Sequence, residues 1–168
     1  MFIVLKIEQK EIYKYLEKMI YFSDWRKKQQ LTEIYNFFNK SGNKLSPQQF
    51  YKISDIFIDF CVKYLKIKNK PKINFVENPK YAAKIGAFGA ITASDKITID
   101  ILDRHPMDIL RTTAHELVHF RQHELNQRKP GSGHVGSDVE NEANMIAGIM
   151  LRKFGAKHSE LFELPYVK

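Results

Sequence analysis

The segment from Pro106 to about Leu125 reads as one helix, and in its middle, within TAHELVHFRQHE, stand His115, Glu116 and His119. Residues four apart share a helix face, so the imidazoles of His115 and His119 can aim at one point. This pair constrains the fold more than any other feature of the chain. Two neutral imidazoles suit Zn²⁺, which takes about four ligands and accepts nitrogen and oxygen donors. Some other element must then come opposite this helix to complete the set. Glu116 lies roughly 100° around the helix from His115, beside such a metal rather than on it. That is the place for a general base, able to take a proton from a metal-activated water as the water attacks a carbonyl. His123 continues the four-residue series but is rotated away from His115, and it reads as a surface histidine.

A zinc site of this kind needs a third protein ligand. Leu125 occupies the position six residues after His119, so a third histidine there is absent, and position 122 is Gln rather than Gly. The remaining source is a helix beginning at about Asp138, DVENEANMIAGIMLRK, which offers Glu140 and Glu142. On a helical wheel, Ala143, Ile146, Ala147, Met150, Leu151 and Phe154 form one apolar arc. Glu140 falls within that arc, whereas Glu142 falls with Lys153 on the polar side. A carboxylate on an apolar face is costly unless something compensates it, and a metal would. Two alternatives stay open: Glu142 as the ligand, or Glu140 as the far half of a capping box with Ser137. Asn144, one turn after Glu140, could orient a ligand. Ala143, Ala147 and Gly148 suit close approach of a neighbouring helix.

The rest of the chain supplies that framework. Apolar spacing predicts helices over 8–21 and 27–40, and a third from Ser46-Pro47 to about Lys66 with Phe50, Ile53, Phe57, Phe60 and Cys61 on its apolar face. Asn69-Lys70-Pro71 breaks the chain before a short strand at 73–76. Residues 87–92 and 96–101 read as a hairpin around the turn at 93–96, and a last short helix is expected near 159–164. The order predicts an α+β fold in one domain: a basic helical region over 1–70, then a core over 71–168 with a small antiparallel sheet packed on the histidine helix and a glutamate-bearing helix after it.

A chain that is 43% hydrophobic and 12% aromatic can bury a core and is not of disordered type. No apolar run approaches the roughly 20 residues of a membrane span, so no membrane role is expected. The first residues, MFIVLKIEQK, lack the order of charge and the cleavage site of a secretory signal. The lone Cys61 sits in an apolar run, which suits a reducing compartment such as a cytoplasm. Of the formal charge of +8, residues 1–84 carry 17 Lys and Arg against 8 Asp and Glu, and residues 85–168 carry 10 against 11. The basic excess therefore lies away from the histidines. It reads first as a solvated lysine surface and second as a surface for nucleic acid.

With HELVH and the downstream ENEAN together, the chain resembles zincin metallopeptidases of the gluzincin type over about residues 85–163. More narrowly, TAHELVHFRQ followed by GSDVENEANMIAGIMLRKFG is similar to small metallopeptidases encoded by tailed bacteriophages. The resemblance implies a zincin-like fold, Zn²⁺ held by His115, His119 and Glu140, and Glu116 as catalytic base. It also implies an extended peptide substrate pairing with an edge strand, for which 86–92 is the candidate, and a location in the bacterial host cytoplasm or in the virion. His134 and Tyr166 are the candidates for stabilising an oxyanion, and no spacing separates them. Beside the peptidase expectation stand a virion or assembly protein with a structural zinc, and a nucleic-acid-associated zinc protein.

Overall fold

A computed structural model of the chain describes residues 47–164, apart from 79, 94 and 128–133, together with 26, 29, 30 and 33. Helix α1, Pro47–Leu65, opens on proline as expected. Phe50, Ile53, Phe57 and Cys61 recur every three or four residues and are fully buried. Ser54, buried on the same helix, donates its hydroxyl to the Tyr51 carbonyl at 2.9 Å, which satisfies it without a partner elsewhere. A left-handed residue, Lys66 (φ 54°), ends the helix and turns the chain toward the sheet. Of the two helices expected before α1, Gln29, Gln30 and Glu33 of the second are helical, as is Arg26 just before it, and the remainder lies outside the described residues.

Three strands follow: β1, Lys72–Val76; β2, Gly89–Ala93; and β3, Lys96–Asp100. The expected hairpin is present, with Gly89 opposite Ile99 and Ile91 opposite Ile97 in antiparallel register. The sheet as a whole is mixed, however, not antiparallel. Its order is β1-β3-β2, and β1 runs parallel to β3 with Ile73 beside Ile97 and Phe75 beside Ile99. The reason is the crossover: the chain leaves β1, passes to the far edge as β2, and returns between them as β3. That crossover contains a helix that the residue pattern did not suggest, α2, Tyr81–Ile85. Gly86 caps it in the left-handed conformation (φ 71°), its N–H donating to the Ala82 carbonyl. Gly86 thus belongs to a helix end, and the edge strand begins only at Gly89.

Helix α3, Pro106–Glu124, lies at the centre, packed against α1, β2, β3 and the next helix, α4, Asp138–Gly155. A short 3₁₀ helix, Ser159–Glu163, closes the described chain. Ile97 and Ile99 from the sheet, Ile101 just after it, Ile109, Leu110, Ala114 and Leu117 from α3, and Met150 from α4 are all fully buried in one core. Helix α1 belongs to that same core, although it falls within the basic region expected over 1–70. Phe57 meets Phe154 of α4 edge-on at 5.0 Å, and Phe50 meets Phe75 of β1 in the same way at 5.4 Å. Among the described residues, no helix is long and apolar enough to cross a membrane. The architecture is α+β, with α3 packed on a small sheet and α4 beside α3.

Candidate metal centre

The start of α3 is pinned before its histidines are reached. Pro106 stands in its first turn, and the His105 side chain accepts from the Met107 N–H at 3.2 Å. Arg104 is 6% exposed, so its guanidinium must be paired. It donates to the Asp100 carbonyl at 2.7 Å, to the Asp108 carboxylate at 2.9 Å and to the Thr112 hydroxyl at 2.7 Å. These bonds tie the end of β3 to the first two turns of α3 and fix how the helix is rotated over the sheet. Thr112 and Glu116, one turn apart, consequently lie against the edge strand. A β-carbon on Gly89 would stand 2.9 Å from the Glu116 Cγ and equally close to a Thr112 methyl. Glu116 is itself buried.

Helix α4 is oriented by its cap. The Ser137 hydroxyl accepts from the Glu140 N–H at 3.3 Å, the first half of the expected capping box. The second half does not form, because the Ser137 N–H already donates to the His134 carbonyl at 3.0 Å. The Glu140 carboxylate turns instead to α3. Its Oε1 lies 3.0 Å from His119 Nε2 and its Oε2 lies 3.3 Å from His115 Nε2, while the two Nε2 atoms are 2.9 Å apart. Close packing of α3 on α4 allows this, with Ala143 and Ala147 fully buried or nearly so. Gly148, expected at the same contact, is only partly buried, and a β-carbon there would meet nothing nearer than the Arg152 guanidinium at 4.0 Å.

His115, His119 and Glu140 therefore come together, and they could hold a metal ion. Two ligands at about 2.0–2.2 Å from a tetrahedral ion lie about 3.3–3.6 Å apart, and these three donor atoms, 2.9, 3.0 and 3.3 Å apart, need separate by only a few tenths of an ångström to take one. The donor set, two imidazole nitrogens and a carboxylate oxygen, is one that zinc accepts. Burial, and then the neighbouring His119, hold the His115 pKa below the ordinary histidine value, against the opposing effects of Glu140 and a hydrogen bond with Asn144. The neutral imidazole is the form that binds a metal, so this environment favours it.

Glu142 is not part of the cluster. Its carboxylate accepts at 2.8 Å from the side chain of Gln122, a residue only 2% exposed. Gln122 also donates to the Val139 carbonyl at 3.1 Å, and its Oε1 lies 2.8 Å from His119 Nδ1. Sequence reasoning missed Gln122. Its signal was its place three residues after His119, on the same side of the helix. His123 is exposed, as expected, and so is His134; Tyr166 lies outside the described residues.

No family model, curated protein or solved structure matches the chain. Fold and site together define an α+β chain whose two adjacent helices bring two histidines and a glutamate to one point.

Proposed function

We propose that the protein is a zinc-dependent metallopeptidase with a zincin-like core, hydrolysing peptide bonds in an extended substrate. The observation that supports this most is the meeting of His115, His119 and Glu140, with Glu116 next in sequence to the first of them. Zinc, when bound, supplies Lewis-acid polarisation of a carbonyl and lowers the pKa of water to about 7. His115, His119 and Glu140 would hold it. Glu116 takes a proton from the attacking water and passes it to the leaving amine, the double role of a general base and acid. Its side chain is buried, with its Cγ packed against Gly89 of the edge strand. Among the described residues strand β2 pairs only with β3 and forms an edge of the sheet, along which a peptide can add as a further strand.

The test uses the full chain reconstituted with zinc and an unstructured protein such as casein, with cleavage read by mass spectrometry. The wild type should cut it, and Glu116→Gln should lower the rate by about 10²–10⁴-fold while keeping its zinc. A zinc-loaded wild type that cuts neither casein nor a mixed peptide library would overturn the peptidase reading.

A further inference from the structure

We propose that Gln122 is a positioning residue for the metal centre, holding His119 as the tautomer with its proton on Nδ1 and registering the turn of α4 that carries Glu140. The inference rests on the metal-binding part of the reading above and not on peptidase activity. A carboxamide has one accepting end and one donating end. The carbonyl of Val139 can only accept, and a carboxylate such as that of Glu142 accepts as well. Both lie within hydrogen-bonding distance of the same end of Gln122, at 3.1 and 2.8 Å, so that end must be the NH₂ group. Its oxygen then faces His119 Nδ1 at 2.8 Å, and a carbonyl oxygen there requires a proton on Nδ1. The Nε2 of a neutral His119 is left with a bare lone pair, aimed at His115 and Glu140.

Chemistry alone settles this orientation, since the opposite one would set an oxygen against two acceptors. Gln122 is 2% exposed and His119 is 4% exposed, so water cannot easily substitute for either partner. The two acceptors on α4 also bracket Glu140, one residue before it and two after it. One side chain therefore orients the second ligand and grips the turn that bears the third. A carboxylate or backbone carbonyl commonly fills this role beside a metal-bound histidine, and its loss typically costs 10–100-fold in metal affinity.

The experiment compares wild type, Gln122→Met and Gln122→Glu in the full chain, with two readouts. One is the ¹⁵N imidazole spectrum of metal-free protein; the other is zinc affinity by competition with a chromophoric chelator. Wild-type His119 should carry its proton on Nδ1. Gln122→Met, similar in shape but without an acceptor, should lose that preference and bind zinc 10–100-fold more weakly. Gln122→Glu keeps an acceptor toward His119 and loses both donors. It should therefore keep the Nδ1–H tautomer, melt at a lower temperature, and bind zinc more tightly than Gln122→Met but more weakly than wild type, because it no longer grips the turn that bears Glu140. If Gln122 served only to cross-link the helices, Gln122→Glu would be at least as impaired in zinc binding as Gln122→Met. That order, or a wild-type His119 with its proton on Nε2, would overturn the proposal. Should Gln122→Met not fold, the wild-type tautomer and the Gln122→Glu affinity decide it. A wild type that binds no zinc would overturn the metal reading instead, and the tautomer measurement would still stand.

Discussion

Gly89 lies directly against Glu116, and a β-carbon on Gly89 would come within 2.9 Å of the Glu116 Cγ, the Ile99 Cδ1 and the Thr112 Cγ2 at once. The three atoms belong to α3 and β3, so no single rotamer change relieves all of them. Gly89→Ala should lower stability by about 1–3 kcal/mol, the usual range for overpacking. On the proposed mechanism it should also reduce peptide hydrolysis by up to about 10²-fold, because a carboxylate displaced by about 1 Å is poorly aligned. Zinc content should not change. Urea unfolding and hydrolysis rates measured on the same preparations check both parts.

Phe154 joins α4 to α1, meeting Phe57 at 5.0 Å and Phe60 at 5.5 Å. Its removal leaves a cavity between the two helices. Phe154→Ala should cost about 3–5 kcal/mol in urea unfolding. Met145, on the exposed side of the same helix, should tolerate alanine within about 0.5 kcal/mol.

Cys61 is fully buried, and burial pushes its thiol pKa well above the ordinary value of 9.0. An unfolded chain loses this proton above about pH 9 while the folded one keeps it, so the unfolded state there binds fewer protons. Stability is therefore unaffected below that pH and falls as the pH rises through 9, by at most about 1.4 kcal/mol per unit from this group. Urea unfolding at pH 8 and pH 10 should show the loss, and Cys61→Ala should diminish it. In native protein at pH 8 the thiol should also resist iodoacetamide and react once the chain unfolds.

A ligand that binds only the folded state stabilises it by mass action. Zinc at about 100 times its dissociation constant should add about 2.7 kcal/mol, seen in calorimetry as a melting temperature several degrees higher than in chelator. Glu116→Gln should retain the shift, because Glu116 is not a ligand. Glu140→Ala should lack it.

Much of this site could be read from the chain because its geometry is local to two helices. The four-residue spacing of His115 and His119, and the place of Glu140 in the apolar arc of α4, follow from helical periodicity alone. Helices α1, α3 and α4 were legible for the same reason, aided by Pro47, Pro106 and the Ser137 cap. The parallel pairing of β1 with β3 was not, because it depends on a crossover that strand alternation does not record. Five-residue α2 is too short for its periodicity to show, although Gly86 marks its end. Gln122 could be placed near His119 on a wheel, but its partners Val139 and Glu142 belong to another helix. The failure of the capping box was equally hidden, since the Ser137 N–H is taken by a carbonyl three residues earlier.

The central claim is that His115, His119 and Glu140 hold one zinc, and elemental analysis tests it most directly. Wild type, Glu140→Ala and Glu142→Ala would be purified without chelators and checked for folding by circular dichroism. The account predicts about one zinc per chain in the wild type, lost in Glu140→Ala and kept in Glu142→Ala, whose carboxylate only accepts from Gln122. A folded wild type without zinc, or zinc lost with Glu142 and kept without Glu140, would contradict it.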